Sequence, residues 1–363
     1  MRSAAPQSRA VTEQDKPPLA DAIRVMIVDD SLVVRSALRR AIEDASGMSI
    51  VATASSGEQA ISQLATVQVD VILLDLEMPG MGGLEALPRI IREGSGARVL
   101  IVSSLTSEGA EATLTALSMG AADTLLKPVT GGFDDAYRAD LLARIRALGG
   151  KEHRPAPAKL PVQSMRPARL SAKRPRIVAI GASTGGIHAL CLLLKALPRN
   201  FDLPIAVTQH LPTSFLPVFA RQLELASARK ASIASDGSVA KAGEILIAPG
   251  EGHMMFTRRG EQIIARISDF PTPSGCRPSV DPMFESLAEQ LDGCAIGVVL
   301  SGMGKDGAEG AALLAQLGGT VMAQDAESCS VWGMPRAVTT SGIASVVAPP
   351  AVLAARIAAG IAA

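Results

Sequence analysis

Arg176-Ile-Val-Ala-Ile-Gly-Ala-Ser183-Thr-Gly-Gly186 is the stretch that decides the second half of this chain. An apolar run rich in valine and isoleucine stops at glycines that bracket a serine. Ile187, Leu190, Leu193, Leu194 and Leu197 then recur at helical spacing. The pattern predicts strand, tight turn and helix, with the Ser183 hydroxyl lifted at the turn beside helix N-terminal amides that can stabilise an oxyanion. Glycine suits a turn that needs positive φ or a close backbone approach. Three readings compete: a serine N-cap on an ordinary helix, a dinucleotide loop over Gly181-x-Ser183-x-x-Gly186, or a nucleophile elbow over Gly181-Ala-Ser183-Thr-Gly185. The dinucleotide reading is the weaker, because serine replaces the glycine that admits a pyrophosphate. The next strand-like run, Leu203 to Thr208, also leads into Gln209-His210 rather than to an acidic ribose ligand.

A serine nucleophile needs a base, and the base an orienting carboxylate. The chain holds four histidines, His153, His188, His210 and His253. His210 ends the apolar run from Pro204, and strand ends line the crevice of an open parallel sheet, so His210 and Ser183 can meet there. The alternative is a hydrogen-bonded surface histidine. Asp306 follows another strand-like run in Gly297-Val-Val-Leu-Ser-Gly-Met-Gly-Lys-Asp306-Gly, before a helical pattern over Ala308 to Leu317. It reads as the orienting carboxylate, as a cap of a helix start, or as both. The order Ser, His, Asp differs from that of α/β-hydrolases, so the geometry is a separate solution.

These residues carry a resemblance. Gly-Ala-Ser-Thr-Gly-Gly, Gln209-His210, Pro249-Gly-x-x-His253-Met254, Arg277-Pro-Ser-Val-Asp281, Gly302-Met-Gly-x-Asp306-Gly and Gly333-Met-Pro-Arg336 resemble the catalytic domain of the CheB family of bacterial chemotaxis protein-glutamate methylesterases, from about Arg176 to the C-terminus. The resemblance implies hydrolysis of γ-glutamyl methyl esters on chemoreceptors, with deamidation of receptor glutamines through the same kind of tetrahedral intermediate. It implies Ser183 as nucleophile, His210 as general base and acid, Asp306 as orienting carboxylate and the Met303 amide in the oxyanion hole, with no cofactor in the esterase domain. Cys276 departs from the pattern, since members often carry histidine before Arg-Pro-Ser-Val-Asp.

The first half carries other chemistry. Arg24-Val-Met-Ile-Val-Asp29-Asp30-Ser31 ends a predicted strand in paired carboxylates, and Val69-Asp-Val-Ile-Leu-Leu-Asp75 ends a second in another. Together they make an all-oxygen pocket suited to Mg²⁺, which relieves their mutual repulsion. Val99 to Ser103 and Thr124 to Lys127 supply a hydroxyl and an ammonium at two further strand ends. The set describes phosphoryl transfer to Asp75, although any one aspartate alone could be a turn residue.

This half resembles a response-regulator receiver domain over about residues 22 to 147. By that resemblance Asp75 is the phosphoacceptor, Asp30 binds Mg²⁺ directly and Asp29 through water. Glu77 offers its carbonyl, and Ser103 and Lys127 contact the phosphoryl group. Lys127-Pro128 is a candidate cis peptide. Thr124 stands where many receivers have a switching aromatic, so transmission must use other groups. A chemotaxis histidine kinase is the implied phosphodonor, and the unphosphorylated receiver is expected to pack over the catalytic cleft.

The expected architecture is therefore α/β, with an N-terminal flavodoxin-like receiver domain and a C-terminal doubly wound, mostly parallel esterase domain. The expected boundaries are a disordered extension over 1–21, the receiver over 22–147, a basic proline-containing linker over 148–175 and the esterase over 176–363. Ser31 is expected to cap a helix with an apolar face of Val34, Ala37, Leu38, Ala41 and Ile42. Strands at Glu244–Ala248, Met254–Thr257, Gln262–Ile267 and Thr320–Ala323 suggest a larger, partly antiparallel sheet, and an alanine-rich helix closes the chain from Pro350 to Ala363.

At 363 residues the chain fits two α/β units, and its 35 basic residues balance 35 acidic ones, so no overall field favours nucleic acid or membrane. Aromatic residues make up 2%, which leaves the cores to Ala, Val, Leu and Ile. Cys191, Cys276, Cys294 and Cys329 have neither C-x-x-C nor metal spacing and read as reduced in a cytoplasmic protein. No apolar run is long enough for membrane insertion. Two other classes stay open: a binding module with an inert triad, and an esterase for a different acyl substrate.

Overall fold

Runs in which every residue is buried, such as Val71–Leu74 and Ile205–Gln209, belong to parallel strands covered on both faces. Both halves of the chain are built that way. The computed structural model describes residues 22–103, 107–127, 134–150 and 173–362. The expected extension over 1–21, most of the linker and the Lys127-Pro128 peptide lie outside the described residues.

The first unit alternates β1 (Ile23–Val28), α1 (Leu32–Glu43), β2 (Met48–Ala54), α2 (Gly57–Leu64), β3 (Val71–Leu74), α3 (Gly83–Glu93), β4 (Arg98–Ser103), α4 (Ser107–Ser118), β5 (Asp123–Leu126) and α5 (Asp135–Gly149). Its parallel sheet has the order β2-β1-β3-β4-β5, the flavodoxin-like winding. Side-chain alternation along β1 sends Val25 and Ile27 to one core and Met26 and Val28 to the other. Ser31 caps α1, its Oγ accepting from Val34 N, as the sequence predicts.

The second unit continues with β6 (Val178–Ala182), α6 (Gly186–Ala196), β7 (Ile205–Gln209), α7 (Leu216–Ser227), β8 (Ala231–Ile233), β9 (Ile245–Ile247), β10 (His253–Arg259) and β11 (Gln262–Ser268). After these come α8 (Val280–Gln290), β12 (Ile296–Val299), α9 (Ala308–Gln316), β13 (Thr320–Gln324), α10 (Met334–Thr340), β14 (Val346–Ala348) and α11 (Pro350–Ala362). Seven strands form one sheet in the order β14-β13-β12-β6-β7-β9-β8, and every pairing in it is parallel. Helices α6, α7 and α11 cover one face and α8, α9 and α10 the other.

The expectation of a partly antiparallel large sheet is corrected. The segments at Met254–Thr257 and Gln262–Ile267 form a separate antiparallel hairpin, β10–β11. Met254, Phe256, Ile263 and Ala265 on one face are buried, while Arg259, Gln262 and Arg266 on the other are exposed. A pair with one polar face cannot sit inside a sheet that is covered on both sides. It docks on α8 instead, where Phe256 N donates to Ser286 Oγ at 2.9 Å.

The two units share a packed boundary. Helix α4 lies against α6 and α7, and one apolar core runs continuously from Leu114 and Leu117 of the first unit to Leu190 and Phe219 of the second. Among the described residues no helix is long and apolar enough to cross a membrane.

The turn after β6 depends on Gly185, which has φ +76° and whose added Cβ would stand 2.7 Å from Ser301 Oγ. Forcing an L side chain into this region costs about 1–2 kcal/mol before any clash. Gly185→Ala is therefore expected to lower the urea midpoint of the second unit and to reduce its activity. An unchanged midpoint would show that the turn is not held in this conformation.

Candidate functional site

Strand β6 lies between β7 and β12, the point at which the sheet order reverses, and ligands of open parallel sheets sit past the carboxyl ends at such a point. Ser183 follows β6, His210 follows β7, and the segment leading to Asp306 follows β12. Backbone bonds lace these exits together: His210 N donates to Ala182 O at 3.1 Å and Ser183 N to Ser301 O at 3.0 Å. Ser183 is not the cap of α6, because Gly185 holds that position. The Ser183 carbonyl accepts from Gly186 N at 2.8 Å and from Gln209 Nε2 at 3.0 Å.

His210 Nε2 meets Asp306 Oδ2 at 2.8 Å. Asp306 also accepts from Ser279 Oγ at 2.6 Å through Oδ1 and from Val280 N at 2.8 Å through Oδ2. Val280 is the first residue of α8, so Asp306 does serve a helix start, but that of α8 rather than α9, whose N-cap is Gly307. The pattern is reciprocal, since Asp281 on α8 accepts from Gly310 N on α9 at 2.8 Å. With Nε2 engaged by Asp306, Nδ1 is the ring's other nitrogen, and the Cys276 sulfur lies near the ring. No hydrogen bond joins Ser183 Oγ to the ring among the described residues, and contacts of this kind tighten when substrate binds. The Met303 amide donates to no acceptor among the described residues.

Charge follows this geometry. Burial opposes a proton on His210, but the bond to Asp306 and the proximity of Cys276 outweigh it, raising the imidazole to about 9. Burial alone would raise Asp306, yet its bonds to His210, Ser279 and the Val280 amide hold it below the usual carboxylate range. Asp281 is raised by its burial and by the neighbouring Asp306 charge.

In the first unit, carboxylate oxygens of Asp29, Asp30 and Asp75 lie within 4.8 Å of one another. Lys127 Nζ stands 2.6 Å from Asp75 Oδ2 and 3.0 Å from Asp29 Oδ2. Glu77 N donates to Asp75 Oδ1 at 3.2 Å. Burial raises Asp75 against the opposing pull of Lys127. Ser103 Oγ is buried and has no hydrogen-bond partner among the described residues. An all-oxygen donor set beside an unpartnered hydroxyl and a lysine fits a hard divalent cation and a phosphoryl group.

Residues 178–357 match the family model described as CheB methylesterase, and residues 25–132 match that of the response regulator receiver domain. A protein-glutamate methylesterase/protein-glutamine glutaminase 2 of Caulobacter vibrioides is 43% identical over 332 residues, which is 90% of this chain and 95% of the relative. A protein-glutamate methylesterase/protein-glutamine glutaminase 1 of Rhodospirillum rubrum is 40% identical, covering 91% of this chain and 93% of its own. This chain belongs to the CheB methylesterase family. Among solved structures, the Thermotoga maritima CheB methylesterase catalytic domain is similar at 36% identity and TM-score 0.49, over 51% of this chain and 97% of that one.

Three features of this CheB-family chain were not legible as roles in its sequence. Ser279 and Asp281 lie in a motif that the resemblance quotes, but their bonds to Asp306 and to α9 depend on where α8 docks. Cys276 is half-buried, and its sulfur lies within 4.8 Å of a His210 ring nitrogen and an Asp306 oxygen. Asp123, at the start of β5, reaches across the boundary between units. Its Oδ2 accepts from Arg144 Nη1 at 2.7 Å and from Thr184 Oγ1 at 3.0 Å, beside Ser183, and its Oδ1 accepts from Thr124 N at 2.9 Å. Nearby, His188 Nδ1 meets Ser118 O at 2.7 Å and Arg98 Nη2 donates to Cys329 O at 2.8 Å.

If His210 is the base, it acts through its neutral form, and kcat/KM is expected to rise about tenfold per pH unit and to level near the raised His210 value of about 9. Asp306→Asn should shift this limb toward the ordinary histidine value and lower the plateau roughly 10²–10⁴-fold. The same pair stabilises the fold below 6.5, and that contribution is lost as pH climbs through about 9. A limb that stays in place in Asp306→Asn would separate His210 from the chemistry.

Proposed function

We propose that this chain is a phosphorylation-regulated serine hydrolase that removes methyl groups from glutamyl esters of chemoreceptors, releasing methanol, and deamidates receptor glutamines in chemotaxis adaptation. The observation that carries the reading is the His210–Asp306 bond of 2.8 Å at a strand end adjacent to that of Ser183, in a chain whose relatives are named for this reaction. Ser183 Oγ attacks the ester carbonyl while His210 Nδ1 takes its proton. The Met303 amide donates to the resulting oxyanion. His210 returns the proton to the departing methoxide, or to the leaving nitrogen of a glutamine amide so that it departs as ammonia, and then activates the water that frees Ser183. Asp306 fixes the ring and its tautomer throughout.

Asp75 is the phosphoacceptor, and a chemotaxis histidine kinase is the donor. Asp29, Asp30, Asp75 and the Glu77 carbonyl would hold Mg²⁺, which supplies charge neutralisation there. Lys127 and Ser103 bind the phosphoryl oxygens. Residues 22–147 act as the receiver and 176–363 as the esterase, joined by the basic segment 148–175 behind an extension over 1–21, and the enzyme works in the cytoplasm without inserting into the membrane.

Strand β5 is the link between the two sites. It is four residues long, with Asp123 at one end and Lys127 just past the other. Thr124 occupies the position at which other receivers turn an aromatic ring, and its hydroxyl is buried without a partner among the described residues. Recruiting Lys127 to a phosphoryl group shifts β5 and loosens Asp123 from Thr184, which opens the packed boundary over the cleft. Phosphorylation favours the open state by the difference in its interaction with the two states.

Methanol release from methylated chemoreceptor membranes tests the reading. The intact protein should release methanol faster with a small phosphodonor and Mg²⁺ than without them, and Ser183→Ala should release none above background in either condition. No release from the intact protein in both conditions would leave a phosphorylation-controlled binding module as the better account.

A further inference from the structure

Cys276 is the feature near the catalytic residues that esterase chemistry leaves unused. Its sulfur, a ring nitrogen of His210 and a carboxylate oxygen of Asp306 are mutually within 4.8 Å, one donor from each residue. A tetrahedral ion with bonds of about 2.0–2.3 Å needs its donors some 3.4–3.7 Å apart. The sulfur has to close in by up to about an ångström, while His210 Nε2 and Asp306 Oδ2, hydrogen-bonded at 2.8 Å, have to part by about half an ångström. The carboxylate is the fixed corner, buried and held by Ser279 Oγ at 2.6 Å and Val280 N at 2.8 Å. The thiol is free and half-exposed, and Cys276 is seated by its own loop: its N donates to Ser274 Oγ and its carbonyl accepts from Thr272 Oγ1, each at 3.3 Å.

We propose that His210, Cys276 and Asp306 form a reversible inhibitory site for a zinc-class divalent cation. A thiolate, an imidazole and a carboxylate with a fourth position open to solvent are the donor types that zinc selects. Mg²⁺ prefers oxygen alone, so the receiver pocket and this site sort the two cations by chemistry. On binding, the Cys276 thiol proton and any proton on the coordinating ring nitrogen pass to solvent, the metal forms bonds to sulfur, nitrogen and oxygen, and nothing is oxidised or reduced. A neutral imidazole has one lone pair. Whichever nitrogen gives it to the metal, none remains to take the Ser183 proton, so metal binding and catalysis exclude each other. The binding claim stands on geometry alone; the inhibition claim rests on the proposed role of His210.

Cobalt(II) titration of the full-length protein reads the site, because thiolate ligation produces a charge-transfer absorption that carboxylate ligation does not. One equivalent is expected to produce the band in the intact protein, in Ser183→Ala and in Asp75→Asn, and Cys276→Ser should abolish it. Zinc should lower methanol release at least tenfold, with recovery on adding a chelator. Cys276→Ser should need at least tenfold more zinc for the same fractional loss, each variant being compared with its own metal-free rate. Absence of the band, or a band that survives in Cys276→Ser, overturns the site. A band without inhibition of a metal-free enzyme that releases methanol overturns the inhibitory role. If the metal-free enzyme releases no methanol, the esterase reading fails while the absorption still decides whether the site exists.

Discussion

The buried carboxylate of Asp306 is the constraint on which the catalytic half of this protein depends. A buried charge is costly unless hydrogen bonds replace its water, and Asp306 obtains three from three directions: the Ser279 hydroxyl, the Val280 amide and the His210 ring. Those bonds join the loop after β12 to the N-terminus of α8 and to the exit of β7. The positive end of the α8 dipole faces the charge. The arrangement that settles α8 on the sheet is therefore the one that keeps Asp306 ionised and fixes the His210 ring through Nε2. The fold and the geometry of the site share one set of bonds.

A second, half-buried carboxylate, Asp123, does for the boundary between units what Asp306 does within one. Its oxygens are divided among Arg144 and Thr124 of its own unit and Thr184 of the other. Burial raises it against the pull of Arg144, so its ionised form depends on those partners remaining. The contact touches the residue after Ser183 rather than a remote surface. Separation of the units thus removes a restraint on the turn that carries Ser183. Allosteric couplings of about 1–3 kcal/mol correspond to roughly 5–150-fold changes, a range that the loss of one charge-assisted hydrogen bond at a packed boundary can reach.

Strand ends were legible in the sequence because buried parallel strands leave continuous apolar runs that stop at chemistry-bearing residues: Asp29, Asp75, Ser103, Ser183 and His210 were found that way. Burial on both faces produces that signal. The hairpin β10–β11 was misassigned to the large sheet, since its alternation gives strand character but not the partner to which it pairs. Ser279 and Asp281 carried no legible role, because their partners are more than twenty residues away and meet only when α8 and α9 pack. Asp123 lies in no motif, and nothing in its local sequence marks it. Its neighbours, Arg144 and Thr184, come from a helix and from a different unit, a juxtaposition that local pattern does not encode.

The measurement that tests this account most directly is methanol release by a variant that cannot be phosphorylated and lacks the restraint, Asp75→Asn with Asp123→Ala, compared with Asp75→Asn alone. If the receiver holds the esterase back through the contact of Asp123 with Thr184, the double variant releases methanol at least several-fold faster with no phosphodonor present. A double variant as slow as Asp75→Asn alone, with Ser183 chemistry intact in the isolated second unit, would contradict that account.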